Sequence, residues 1–383
     1  MLWALSASGR PSDGPPYAIP PPPPLGEGTG DFEPFPSALP PQGRQLQLDT
    51  ELFAGYAMDE VPDGETFDEF FLERAQVGVR GRWTPELGAE LRLEAVRAAT
   101  PDSVVGVDGD SLVMRVKRAR VSWQLVLLGA QFRVEGGLAP DIWIETLERA
   151  YRLRGVASTL VQRGGFSDQA DLGVIVGAQL FSGKLRLMAS LTNGEGRNER
   201  EQNSGKNATV VASVKALTGR LWGGPLDVSL HGMYRSGSRG VGLARDDRLG
   251  GAVTVLHPRV GLGVAYTAAD GYAGRATLEA TALESWLEVV VSPRLLGLFG
   301  RFDQWDPAAQ DAALDATRNR ITGGVFTHVA GSTTTLERVR LYVFVQQDAF
   351  GTDAGPVPGV GDAGEFTRYG VSVEVRGARD ISR

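Results

Sequence analysis

The chain has 383 residues, a formal net charge of −7 and no cysteine. That length fits two or three ordinary domains or one large β-structure. The acidic balance argues against a nucleic-acid partner, and the missing thiols exclude disulfides, thiolate chemistry and cysteine-bound zinc. No run of about 18 apolar residues occurs, so no membrane-crossing helix is predicted, which leaves strands that cross a membrane untouched.

Residues 1–45 read as a disordered, proline-rich tether, with IPPPPPL at 19–25 and FEPFPSALPPQG at 32–43. Such sequence favours polyproline II and cannot build a packed core. At its head MLWALSASGR is an apolar stretch ending in small residues. It reads either as the tail of a signal peptide or as a plain disordered terminus. From Leu46 to the end the chain is a succession of segments of period two. In FLERAQVGVRGRW (71–83), Arg74, Arg80 and Arg82 share one parity and Ala75, Val77, Val79 and Trp83 the other. In 86–97, Leu87, Ala89, Leu91, Leu93 and Ala95 alternate with Glu90, Arg92 and Glu94. That is strand spacing, not the 3.6-residue spacing of a helix. The best helical window is DIWIETLERAY at 141–151.

About 16 strands are predicted by this alternation. They fall near 46–56, 70–83, 86–98, 112–123, 125–136, 170–180, 184–192, 207–217, 225–235, 247–257, 259–268, 274–291, 294–304, 319–329, 335–348 and 366–376. Their links alternate in length. Tight ones fall at WTPE, Gln124, FSGK, HPR, SPR and near 330–334, and longer polar ones lie between them. A short link near 269–273 and a long one near 218–224 break the rule. Alternate short and long links on an even number of strands are what an up-and-down transmembrane antiparallel β-barrel requires, with short turns at one rim and long loops at the other. A barrel of this girth is too wide for side chains to fill, so the apolar parity is assigned to lipid and the polar parity to the lumen. The fold class is therefore all-β, with 46–383 as the barrel.

On that parity the pore-lining cations are Arg74, Arg80, Arg82, Arg92, Arg118, Arg120, Arg133, Arg186, Arg338 and Arg340, with Lys215. The lumen acids are Glu90, Glu94, Glu135, Asp171 and Asp303. Guanidinium groups in a channel favour anions, unless they pair with acids across the wall and only stiffen it. Arg115 and Lys117 have the parity opposite to Arg118 and Arg120, which calls for a bulge or a position at headgroup level. Trp83, Trp123, Trp222 and Tyr266 suit aromatic girdles. The link at 137–169 is the candidate for a loop folded into the pore, with Glu145, Glu148 and Arg149 narrowing it; an external or intersubunit loop is the alternative.

FFLERAQVGVRGRWTPELGAELRLE, LERAYRLRG, LTNGEGRNEREQNSGK and LFGRFDQWDP followed by NRITGGV resemble the phosphate-selective porin O and P family. The matching positions are Arg74, Gly78, Arg80 and Gly81; Glu148 and Arg149; Asn193, Gly194 and Gly196; and Asp303, Asp306 and Asn319. The resemblance spans roughly 46–376. It implies a 16-stranded porin of the bacterial outer membrane, commonly a homotrimer, passing small solutes by diffusion. Outer-membrane lipid and small anionic solutes are its expected partners. One departure is the last strand, which ends at Val375–Arg376 before GARDISR where such barrels often end on an aromatic residue. The expected function is passive diffusion with a modest preference for anions, phosphate included. The alternative is a plugged structural or assembly barrel whose tether binds a periplasmic partner. No enzymatic reading survives: His231, His257 and His328 lie far apart with no metal-ligand spacing, and no nucleophile elbow or phosphate-cradling loop occurs. No cofactor is expected.

Overall fold

Every alternating segment forms a strand in the computed structural model, which describes residues 45–61, 66–97, 112–196, 204–240, 242–292, 296–311, 315–331, 338–351 and 365–380. The proline-rich stretch and MLWALSASGR lie outside the described residues. The barrel strands are β1 (Gln45–Glu60), β2 (Phe67–Arg82), β3 (Leu87–Arg97), β4 (Leu112–Leu127), β5 (Ala130–Pro140), β6 (Ala170–Leu180), β7 (Leu185–Thr192) and β8 (Asn207–Leu221). They continue as β9 (Gly224–Ser236), β10 (Asp247–His257), β11 (Val260–Asp270), β12 (Glu279–Ser292), β13 (Leu296–Asp306), β14 (Arg318–Gly331), β15 (Arg338–Phe350) and β16 (Glu365–Asp380). Each pairs antiparallel with its sequence neighbours, and β1 closes on β16 from Gln47↔Asp380 to Glu60↔Thr367. A closed antiparallel barrel of sixteen strands results, with no free edge.

The turns sort more strictly than the sequence suggested. β8 continues to Leu221 and β9 begins at Gly224, so the long link expected at 218–224 is a tight turn at Trp222–Gly223. The short link expected at 269–273 runs from 271 to 278 and carries a turn of 3₁₀ helix at Tyr272–Gly274. The junction expected at Gln124 lies at Leu128–Gly129, because β4 keeps pairing with β5 as far as Leu127↔Ala130. Propensity marks a strand's existence well and its ends poorly, since the ends depend on partners elsewhere in the chain.

The barrel's outside is apolar and its inside polar. Leu52, Val79, Leu91, Val174, Val253 and Val343 are exposed on the outer face, while Glu51, Arg92, Glu90 and Arg340 on alternate positions are buried within. This inverts a water-soluble barrel. A strand of about ten residues tilted by about 45° spans the hydrocarbon of a bilayer, so the apolar outer band suits a membrane. Register follows from the same contrast, because a one-residue slip would carry each arginine into hydrocarbon at about 2–4 kcal/mol.

Among the described residues, single-residue bulges interrupt the pairing at Glu73, Lys117, Ala216, Val291 and Val329, and the first two shape the charged wall. Phe53 pairs with Arg74 but Ala54 pairs with Leu72, which leaves Glu73 as an extra residue. Both Glu73 and Arg74 therefore point inward, and from there upward the parity is reversed. Phe70 and Leu72 face out and Phe71 turns in beside Gly55, contrary to the simple alternation of FLERAQVGVRGRW. The second bulge is Lys117, since Arg92 pairs with Arg118 and Leu93 with Val116. It lets Lys117 and Arg118 point inward together, both buried, which resolves the conflict seen among Arg115, Lys117, Arg118 and Arg120.

Inside, bulky rings lie over strand glycines. A Cβ at Gly370 would collide with the Phe344 ring, and one at Gly297 with Phe326. Outside, aromatic rings gather at both ends. Trp83, Trp123, Phe181 and Trp222 lie toward the short turns; Tyr56, Phe70, Tyr234, Tyr266 and Tyr369 lie toward the long links. Tyr56 donates to Asp68 at 2.6 Å and stands 5.0 Å from Phe70. Two such belts are the mark of a barrel whose ends meet lipid headgroups.

Candidate functional site: the lumen and its inserted loop

The link between β5 and β6 enters the barrel. It opens with α1 (Ile142–Glu148), whose N-cap Asp141 accepts from the amides of Trp143 and Ile144, both at 2.9 Å. Every residue of α1 is buried. A seven-residue helix is not stable alone in water, so packing must hold it. Trp143, Ile144, Leu147, Tyr151, Leu153, Leu160, Val161 and Phe166 form an apolar core with inward residues of the wall, among them Met188, Val211, Met233, Trp286, Phe299, Tyr342 and Phe344. A short second helix, α2 (Leu160–Arg163), continues this layer.

Polar latches fix the loop's path. Trp143 donates to Thr267 at 3.2 Å, Arg248 to the Phe166 carbonyl at 2.9 Å, and Tyr272 to the Gly164 carbonyl. Arg301 donates to the Ser158 carbonyl at 2.6 Å and to the Tyr151 hydroxyl. The Leu160 amide donates to Glu284 at 2.8 Å, Ser372 donates to the Gly155 carbonyl at 2.7 Å, and Arg163 pairs with Asp303. Backbone groups withdrawn from water are thus answered by wall side chains on β10–β16, as buried polar groups must be. Burial in this layer pushes the Tyr151 hydroxyl above its ordinary pKa.

The adjoining wall, from β1 to β5, is a ladder of charge. Glu90 lies 2.5 Å from Arg120, 3.4 Å from Arg92, 3.6 Å from Arg118 and 3.9 Å from Arg80. Glu51 takes Arg74 at 3.0 Å, Glu94 takes Arg115 at 2.8 Å and Lys117 at 3.2 Å, and Glu135 takes Arg120 at 2.7 Å together with Arg133. Arg92 also pairs with Asp49. Asp49, Glu51, Glu90 and Glu135 together face Arg74, Arg80, Arg92, Arg118, Arg120 and Arg133, so guanidinium groups outnumber carboxylates in this part of the ladder. None of the three guanidinium nitrogens of Arg118 has a hydrogen bond. From the loop, Glu145 reaches Arg149 and Arg186, each at 3.0 Å. Burial pushes the Glu145 carboxyl up, but Arg186, Arg149, Arg133 and Arg120 outweigh it and hold the group at about 2.

The structure divides the predicted cations. Arg74, Arg80, Arg92, Arg118, Arg120 and Arg133 stand together on the β2–β5 wall, with Arg82 at its short-turn end. Arg186 sits on β7 beside α1, while Arg338 and Arg340 lie on β15, two strands from β1 around the closed barrel, held by Glu374 at 2.7 Å and Glu288 at 3.1 Å. Of the loop residues, Glu145 and Arg149 pair with each other, and Glu148 turns to Arg154 at 3.0 Å. Glu94 lies inside with the ladder, and Asp303 belongs to the latch. Asp171 accepts from the Gly194 amide at 2.6 Å near the long-link rim, and Lys215 pairs with Asp227 at 2.8 Å on the β8–β9 hairpin. Sequence reasoning missed Asp49, Glu51, Arg163, Glu284, Arg301 and Glu374. Those on strands carry the same inward alternation as their neighbours; Arg163, on the loop, has no periodic signal. The histidines are separate: His231 bonds Ser213 at 2.8 Å and Thr254 at 2.9 Å, His257 the Leu221 carbonyl at 2.7 Å, and His328 accepts from Arg340 at 2.9 Å.

No family model and no curated protein matches the chain. Solved structures do. An anion-selective porin from Comamonas acidovorans superposes with a TM-score of 0.57 at 14% identity, over 88% of this chain and 100% of that one. Salmonella typhi OmpF, solved in complex with daunomycin, gives 0.56 at 13% identity over 87% and 98%. OmpT of Vibrio cholerae, expressed in the outer membrane, gives 0.55 at 14% identity over 88% and 99%. The chain therefore has the porin-type fold.

Proposed function

We propose that this chain is a passive diffusion porin of the bacterial outer membrane, of the phosphate-selective O and P kind, with a modest preference for small anions including phosphate. It is not an enzyme on this reading, and it assembles as a homotrimer. The observation that carries the anion preference is the Glu90 neighbourhood, where Asp49, Glu51, Glu90 and Glu135 are outnumbered by Arg74, Arg80, Arg92, Arg118, Arg120 and Arg133. A solute path walled by fixed positive charge lowers the barrier to anions and raises it to cations. The partly exposed Arg80, Arg133 and Arg149 are the side chains that meet a passing solute, while Arg74, Arg92, Arg118 and Arg120 supply field from behind them.

The depth of the loop core favours a second reading, a plugged barrel with a structural or assembly role. Single-channel recording of the folded protein in a planar bilayer separates the two, and absence of conductance rules out the porin. In a salt gradient the reversal potential is expected to show anions more permeant, and Arg133→Glu with Arg149→Glu to shift it toward cations. Cation preference in the unaltered protein refutes the arginine argument.

A further inference from the structure

The short-turn rim is built unlike a rim that stands in water. In the tight turn at Leu128–Gly129 both residues have positive φ, 52° and 77°, and Trp222–Gly223 repeats this with 48° and 77°. Such two-residue hairpin turns favour asparagine or aspartate at the first position, because a side chain with a Cβ is strained there and a small polar one is strained least. Here the first positions carry Leu128, 98% exposed, and Trp222, 69% exposed. The turn at 181–184 has Phe181, 71% exposed, also at positive φ (53°). Three large apolar side chains are thus held in an unfavourable backbone region and pushed outward at the tips. In water that combination gains nothing; in an apolar or interfacial layer the burial of each side chain offsets its strain.

The charges beside these tips say which layer. Lys184, Arg220, Arg259 and Arg379 are exposed at this rim. Its described acids are fewer: Glu86, exposed and accepting from Thr84 at 2.9 Å, and Asp227, paired with Lys215 at 2.8 Å. The opposite rim is mixed, with Glu60, Asp68, Glu279, Asp315 and Glu365 exposed among Lys206, Arg245 and Arg275. We infer that the short-turn tips do not project into the periplasm but are seated in the headgroup layer of the membrane. There Leu128, Phe181 and Trp222 enter the acyl boundary, and Lys184, Arg220 and Arg259 bind the phosphates of anionic phospholipids. The inference rests on the membrane reading above, and adds that this end of the barrel recruits lipid by charge.

The chain has no cysteine, so single Leu128→Cys, Phe181→Cys and Trp222→Cys variants take a spin label cleanly. The folded full chain is reconstituted in vesicles of phosphatidylcholine alone and of phosphatidylcholine with phosphatidylglycerol. Labels at all three tips are expected to collide with oxygen and to be shielded from a water-soluble nickel chelate, more so with phosphatidylglycerol. Phosphatidylglycerol co-purifying with the protein is expected to be enriched over phosphatidylcholine. That enrichment should fall about fivefold for each of Lys184→Gln, Arg220→Gln and Arg259→Gln, the effect of one interfacial cation. Labels as open to nickel as a label free in water, or equal retention of the two lipids, overturn the proposal. Heat-modifiable migration of the same samples reports on the barrel separately, so a folded barrel with wet tips defeats this inference alone.

Discussion

On the wall from β12 to β16, Arg301 and Ser372 spend their hydrogen bonds on loop carbonyls, at 2.6 Å and 2.7 Å, and Glu284 answers the Leu160 amide at 2.8 Å. On the wall from β1 to β5, Arg74, Arg80, Arg92, Arg118, Arg120 and Arg133 outnumber Asp49, Glu51, Glu90 and Glu135, and the Arg118 guanidinium, 3.6 Å from Glu90, has no hydrogen bond. The same residue type therefore does two jobs. Against a loop that brings unpaired carbonyls, arginine is a clamp whose charge is spent. Against a strand with too few acids, it remains a source of field. The difference comes from what lies opposite, since both walls carry arginines at inward positions of a strand.

The sharpest way to break the comparison is to turn the charged wall inside out over one stretch of β4. Exchanging Arg118 with Ala119 and Arg120 with Val121 keeps the composition and moves two guanidinium groups from the lumen to the outer face. Each arginine so placed costs about 2–4 kcal/mol, so the exchanged variant is expected to show no heat-modifiable folded band. Deleting Lys117, the extra residue, restores plain alternation with Arg115, Arg118 and Arg120 still inward, and that variant is expected to fold. A folded exchanged variant would show that the outer face of this wall does not meet hydrocarbon.

Breaking the clamp is the next largest effect. Arg301→Ala leaves Asp303 and Glu284, now 2.8 Å and 3.6 Å from the guanidinium, without that partner inside the lumen. Stranding buried charge in this way costs about 3–5 kcal/mol. A lower unfolding temperature in detergent and a larger, noisier conductance are expected, as the Tyr151–Ser158 segment loses its hold. If both stay as in the unaltered protein, the loop is not held by this arginine.

These contrasts were unequally legible in the sequence. Strand count and the inward set Arg74, Arg80, Arg92 and Arg118 follow from period two, which each strand displays by itself. The Lys117 bulge was one of two outcomes the sequence offered, since four cations on two parities called for a bulge or a position at headgroup level, and the pairing of Arg92 with Arg118 and Leu93 with Val116 decides for the bulge. The Glu73 bulge was not: a lone glutamate among apolar positions reads as an interruption, and only pairing with Phe53 and Ala54 shows the extra residue. The hairpin end at Trp222–Gly223 escaped for a related reason, since β8 and β9 continue pairing beyond the apolar band where alternation fades. The clamp was least visible. Glu284, Arg301 and Ser372 are ordinary inward residues until a loop from more than a hundred positions away lies against them.

The smallest expected effect is a Glu145-dependent pH response that stays absent through the neutral range. Glu145 joins the loop to the charged wall, and the surrounding Arg186, Arg149, Arg133 and Arg120 hold its carboxyl at about 2 against an unfolded value of about 4.3. A depressed carboxyl contributes stability that is complete above the unfolded value and is lost as pH falls through the folded one. Its hold on Arg149 and Arg186 is therefore full from pH 8 down to about 5, erodes below about 4, and is gone only under about 2. The Glu145-dependent part of the conductance, read as the difference between the unaltered protein and Glu145→Gln, should be flat across the upper range and should change only in strong acid. Glu145→Gln should show loop-dependent noise at every pH, because it removes the charge without waiting for a proton. A step near pH 6 that disappears in Glu145→Gln would mean that the carboxylate titrates as an ordinary buried acid, and that the arginines around it do not act as one positive field.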